Sequence, residues 1–211
     1  SLPGPPPPPP RPTPPPPTLT PDALRDVSFS FPWKTSTGCD LHPRQYGKLS
    51  DTALQWLAIC YMLSEAAMEI PEPVRLAMFF TRPKADGGKR IVGNLPSYYR
   101  IYTRARIPMV RDWDNSFEAP FYYAGTGKGS VDAVYDASMA DAIMERRGLT
   151  NVTTLGDIKK CFERVNHQRV IDKSAVVDLP MRILAMCLAM YRAARCVMVN
   201  GACAGPAVTN N

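Results

Sequence analysis

Thirteen of the 23 prolines in this 211-residue chain fall within its first 21 positions, and that clustering decides where folding can begin. Proline holds φ at about −65° and offers no backbone N–H, so a run of prolines supports neither a helix ladder nor a sheet. Residues 1–22 are therefore expected to form a disordered polyproline II tail. Its plain reading is a low-complexity leader. Its sharper reading, with Arg11 beside the proline runs, is a ligand for SH3 or WW domains. The remaining stretch of about 190 residues suffices for one domain with a sizeable core.

Residues 23–74 read as a helical lead-in. It is irregular to about position 49, around Phe31-Pro-Trp33, and then helical to about 70. Ser50 or Asp51 can cap that helix, Leu54, Leu57, Tyr61 and Met62 share one stripe, and Pro71 and Pro73 stop it. Residues 76–81 read as a strand, Asp86-Gly-Gly as a hairpin turn, and 89–92 as the returning strand. A helix follows Pro96 and carries Arg100 and Arg104 one turn apart. The clearest helix spans 131–147, capped by Ser130, with Ala133, Val134, Ala137, Ala140, Ile143 and Met144 on one stripe. Arg146 and Arg147 suit its negative end, and Gly148 closes it. A strand to Leu155, a helix to about 171, a helix opened by Asp178 and running to about 193, and a strand at 196–199 complete the order. That order suits an α+β fold better than a regular βαβ alternation.

The net charge is +6, and it is unevenly placed. Between Arg75 and Arg111 stand nine Lys or Arg residues and a single acid, Asp86. Tyr98, Tyr99 and Tyr102 interleave with Arg100, Arg104 and Arg106. Cations suit a phosphate backbone and aromatic rings suit stacked bases, so this stretch fits a surface for nucleic acid, and it fits a solvated basic face equally well. The six cysteines (Cys39, Cys60, Cys161, Cys187, Cys196, Cys203) show no C-x-x-C pair and no zinc spacing, and read as reduced core thiols. Two histidines, His42 and His167, are too few for a His-based metal site. No secretory leader is read, and the longest apolar runs, 54–68 and 183–190, are interrupted or short, so no membrane span is expected. The chain is expected to be intracellular, in nucleus or cytoplasm, and not secreted.

One further segment carries a candidate for chemistry. Thr153, Thr154 and Leu155 have strand composition, and Gly156 allows tight packing after them. Asp157 then stands at a strand's carboxyl end, where open α/β sheets place their reactive groups. Ile158, Cys161, Phe162 and Val165 follow at helical spacing, so Phe162 stacks about one turn beyond Asp157. Spacing alone also allows Asp157 to be a helix cap, the commoner role for such a residue.

Asp157, Lys160, Phe162 and Val165 resemble the first catalytic motif of reverse transcriptases of the non-LTR retrotransposon and group II intron type, with Glu163 where that family usually has Asp. Three other stretches fall in the family's order. Arg82-Pro-Lys-Ala-Asp-Gly-Gly-Lys-Arg-Ile-Val92 resembles its fingers hairpin. Gly125-Thr-Gly-Lys-Gly-Ser-Val-Asp-Ala-Val134 is similar to the Gly-rich segment ahead of its catalytic strand, and lacks the spacing of a Walker phosphate loop. Gly201-Ala-Cys-Ala-Gly-Pro206 resembles the start of its Gly-x-x-Gln-Gly motif, with Ala204 in the place of Gln.

The resemblance implies an α+β fold in which residues 75–211 form the fingers and an incomplete palm of a right-hand polymerase. It implies an RNA-directed DNA polymerase that binds an RNA template, a DNA primer and dNTPs. Nucleotidyl transfer would use two magnesium ions, with manganese as an alternative. Asp157 would be the catalytic, metal-binding carboxylate, and the backbone carbonyl of Ile158 a further ligand. Lys84 and Arg90 would hold the triphosphate, with the adjacent Lys89 able to exchange with Arg90. Phe162 would crowd the sugar 2′ position and favour deoxynucleotides, and Gly205 would let the backbone approach the nucleotide. The family's next carboxylates belong to an aromatic-x-Asp-Asp hairpin that Asn211 precedes, so this length of chain is expected not to polymerise alone. Three alternatives stay open. One is an RNA-templated RNA polymerase, against which Phe162 argues. Another is a non-catalytic nucleic-acid-binding remnant or domesticated copy, which Ala204 and Glu163 favour, and the third is a Pro-rich adaptor.

Overall fold

The first four helices start where a side chain takes up free backbone N–H groups. The Thr20 hydroxyl accepts from the Ala23 amide at 3.2 Å, and Pro21 fills the first turn of α1 (Pro21–Phe29). The coil expected through residue 22 therefore ends by Thr20, and Leu19 is already buried. The His42 ring accepts from the Arg44 amide at 3.2 Å and opens the short α2 (Pro43–Tyr46). Ser50 accepts from Ala53 at 3.3 Å and opens α3 (Asp51–Ala67), as its sequence predicts. For α4 (Ser97–Ser116) the capping carboxylate comes from a distant loop. Asp40 accepts from the Ser97 and Tyr98 amides at 2.7 and 2.8 Å, and from the Tyr46 hydroxyl at 3.0 Å.

The computed structural model describes residues 15–85, 87–116, 122–125, 127–150, 152, 156, 165–199 and 202–207. The chain divides into two units, Ser1–Pro108 with His167–Asn211, and Met109–Asn166. The first holds a four-stranded mixed sheet built from β1 (Leu76–Pro83), β2 (Lys89–Asn94), β3 (Ala194–Val199) and β4 (Ala202–Ala207), in the order β2-β1-β3-β4. β1 pairs antiparallel with β2 and parallel with β3, and β3 pairs antiparallel with β4. Helices α6 (His167–Val176) and α7 (Met181–Tyr191) lead into β3. The fold is mixed α+β.

The core of this unit is unusually rich in tyrosine. Leu54, Ala58 and Tyr61 of α3 pack with Tyr98, Tyr99, Ile101 and Tyr102 of α4, Met186 and Met190 of α7, and Ala77 of β1. The Tyr61 ring lies 4.5 Å from that of Tyr98 and 5.6 Å from that of Tyr102, and its hydroxyl donates to the Tyr98 carbonyl at 2.8 Å. Beside them, Arg106 of α4 forms a two-pronged ion pair with Glu65 of α3, at 2.5 and 2.7 Å. The side chains are only 3% and 4% exposed. A third guanidinium N–H donates to the Pro17 carbonyl at 2.6 Å, which ties the start of the described chain to the helical core.

Gly38 is fixed by contact. A Cβ there would meet the Leu95 carbonyl oxygen at 2.8 Å and Pro96 Cα at 2.9 Å, both of them backbone atoms that cannot rotate away. Gly38→Ala is expected to cost about 1–3 kcal/mol through overpacking. A thermal melt should show the midpoint falling by roughly 3–10 °C; an unchanged midpoint would show that the Leu95–Pro96 backbone yields.

In the second unit, α5 (Ser130–Arg146) starts one residue before the span read from sequence. Gly129, not Ser130, is its N-cap, and the Gly129 amide donates to Asp132 at 2.8 Å. Val134 and Ile143 of the expected stripe are 66% and 46% exposed, and no residue of α5 is buried. Its apolar periodicity marks a helix but not a packed face among the described residues. Asp178, expected to open α7, instead takes φ 52° after α6, and Pro180 occupies the N-cap position.

Candidate functional site

The β1–β2 hairpin closes through Gly87 at φ 81°, a left-handed conformation that favours glycine. The Lys84 amide donates to the Gly88 carbonyl at 2.7 Å, which continues the ladder one step past β1. Its register sets Arg82 directly opposite Arg90, and Phe80 opposite Val92. Opposed residues of an antiparallel pair point to one face, and alternate residues of a strand share it. Phe80, Arg82, Lys84, Arg90 and Val92 therefore lie on one face, and Thr81, Pro83, Lys89 and Ile91 on the other.

A depression of about 570 Å³ opens at this end of the hairpin, lined by Arg82, Pro83, Lys84, Ala85, Arg90 and Val92. All three cations are exposed, and none forms an ion pair with a described residue. Arginine presents a planar fork of N–H donors that matches phosphate oxygens, and lysine a mobile point charge. Three such groups give this face a concentration of positive charge.

Two of the residues picked from sequence, Lys84 and Arg90, are thus brought together. The register turns Lys89 to the face opposite Arg90, and Lys89 does not line the depression. Arg82 was missed, although its two-residue spacing from Lys84 was available as a signal. Gly205 sits at φ 82° where the β3–β4 register shifts, on the edge strand away from β2. A Cβ there would meet nothing within 4 Å, so its positive φ belongs to a strand irregularity. Asp157, Ile158 and Phe162 lie outside the described residues, as do Lys160 and Glu163.

The aromatic and basic stretch of α4 is a correction to the sequence reading. Tyr98, Tyr99, Tyr102 and Arg106 are buried, at 7% exposure or less, and offer no stacking surface to bases. Arg100 and Arg104 are held by the N-terminal loop. Arg100 donates to the Ser36 carbonyl at 2.6 Å and Arg104 to the Ser30 hydroxyl at 3.0 Å, and Arg104 stacks 3.8 Å from the Phe31 ring centre. Burial also moves the tyrosines' acidity. It pushes Tyr98 up to about 12, and raises Tyr99, Tyr102 and Tyr61 further above their ordinary range. Nearby ionisable groups add to this, notably the Cys187 thiol beside Tyr99 and the Glu65 carboxylate beside Tyr102.

The cysteines are not all free core thiols. Cys196 of β3 and Cys203 of β4 are bonded across their hairpin, with Cα atoms 6.2 Å apart, while Cys39 and Cys60 are free and exposed. Among the described residues, no three His, Cys, Asp or Glu side chains gather as a metal-sized cluster, and no helix is long and apolar enough to cross a membrane. Compared with known proteins, the chain matches no family model and no curated protein.

Proposed function

We propose that this chain is part of an RNA-directed DNA polymerase, comprising fingers and part of a palm, and that the β1–β2 hairpin holds the triphosphate of an incoming dNTP. The observation that carries this reading is the placement of Lys84 and Arg90 on one face of a hairpin, over a depression, with no carboxylate partner among the described residues. Both charges would offset the negative charge that builds on the phosphates during transfer. Asp157 and the Ile158 carbonyl supply hard oxygen donors, the kind magnesium prefers. Magnesium held there would polarise the attacking and leaving oxygens. Phe162 would exclude a 2′-hydroxyl by occupying its space and offering it no hydrogen bond.

The test is primer extension on a homopolymer RNA template with dNTPs and magnesium, using the reading frame that encloses this chain beside its Asp157→Ala variant. The expected result is deoxynucleotide incorporation that falls by roughly 10³-fold or more in the variant. Equal incorporation by both proteins would overturn the assignment of Asp157. A soluble, RNA-binding protein that incorporates nothing would favour the second reading, a non-catalytic nucleic-acid-binding remnant. Ala204 and Glu163, where the family has Gln and Asp, argue in that direction.

A further inference from the structure

We propose that Arg82 is a third phosphate-contacting cation of the hairpin and that it clamps one phosphate of a bound polyphosphate together with Arg90. The proposal rests on the triphosphate reading of Lys84 and Arg90 and adds a residue to which the family resemblance gives no role. It starts from register, since Arg82 and Arg90 are direct cross-strand partners on one face. Like charges placed directly opposite destabilise a strand pair, and no described carboxylate offsets them here. The pair also lies beyond the last rung that β1 shares with β3, at Phe80, so among the described residues no third strand pairs with that end of the hairpin.

An anion between the strands reverses the sign of this interaction. Two guanidinium forks facing one phosphate offer it paired N–H donors from both sides. Lys84 follows two residues on, about 7 Å along the strand, within reach of a neighbouring phosphate. Lys89 on the reverse face is excluded by the same register. The bare hairpin should therefore be strained by its own charge and relieved by a polyphosphate. A residue with only a structural role predicts the opposite behaviour on removal.

The experiment titrates inorganic tripolyphosphate into the 211-residue chain by calorimetry and records a thermal melt of each ligand-free variant. Arg82→Thr, which keeps strand propensity, is expected to weaken binding by about 10-fold or more. The same substitution should raise the ligand-free midpoint by roughly 1–3 °C. Arg82→Lys keeps the charge without the fork and should fall between the two, and Lys89→Thr should bind within about twofold of the parent. If Arg82→Thr binds like the parent while Lys84→Ala and Arg90→Ala do not, the role of Arg82 is overturned and the triphosphate reading survives. If Lys89→Thr weakens binding as much as Arg82→Thr, the effect is diffuse charge and the clamp is overturned. A folded parent chain that binds no tripolyphosphate sinks the clamp and the triphosphate reading together.

Discussion

Glu65→Ala should destabilise the chain by about 3–5 kcal/mol, measured as a lowered denaturant midpoint at unchanged slope. The carboxylate is the sole ionic partner of Arg106 among the described residues, and both side chains are almost completely shielded from water. Removing it leaves a guanidinium in the core with one carbonyl, that of Pro17, as its remaining acceptor among the described residues. Arginine does not shed its proton at accessible pH, so the stranded charge cannot neutralise itself. The magnitude therefore belongs to an uncompensated buried ion, and the favourable worth of the pair is smaller. Replacing both partners together, as Glu65→Leu with Arg106→Met, should recover most of the loss. A single-variant cost below about 1 kcal/mol would mean that water reaches the pair between α3 and α4.

Raising the pH above 10 should unfold the chain cooperatively. Tyr61, Tyr98, Tyr99 and Tyr102 are buried and remain protonated in the fold well past the point where an unfolded tyrosine ionises, at a pKa of about 10. The unfolded chain then binds fewer protons than the folded one, and stability falls as pH rises. Below pH 10 the contribution is fully present. Each tyrosine removes about 1.4 kcal/mol per pH unit above its unfolded pKa, so four together remove roughly 5 kcal/mol per unit. That is comparable with the whole stability of an ordinary domain. Tyrosinate absorbance and circular dichroism followed together should change in one step near pH 11. Phenol ionisation spread smoothly around pH 10 with the ellipticity intact would show that these rings are solvated.

The parts of the fold legible in the sequence are those fixed by neighbouring residues. Ser50 caps α3, and Gly87 with the flanking strands makes the hairpin, because each needs only a few adjacent side chains. The destination of α4 was not legible. Tyrosines alternating with arginines look alike whether they face a nucleic acid or a core, and what decides is Glu65, 41 positions away, together with Tyr61. β4 carries alanine, glycine and proline, which have little strand preference, and exists because β3 offers it an edge. α5 shows the reverse failure, where a clear apolar period leads to no buried residue. In the candidate site, Lys84 and Arg90 were legible as flanks of a turn. The spacing of Arg82 from Lys84 was legible too, but its place directly opposite Arg90 is set by the register.

The parallel pairing of β1 with β3 also has a consequence during synthesis. Leu76 sits beside Ala194, so the two strands are separated by roughly 120 residues of chain. At about 5–20 residues per second, a ribosome leaves the β1 edge open for roughly 6–25 seconds before its partner emerges. The β1–β2 hairpin forms early but covers only one side of β1, and the uncovered rungs include Ala77 and Phe79, which belong in or against the finished core. The aggregation hazard therefore belongs to the nascent chain, and slow translation or a shortage of chaperones should lower yield before any property of the folded protein does.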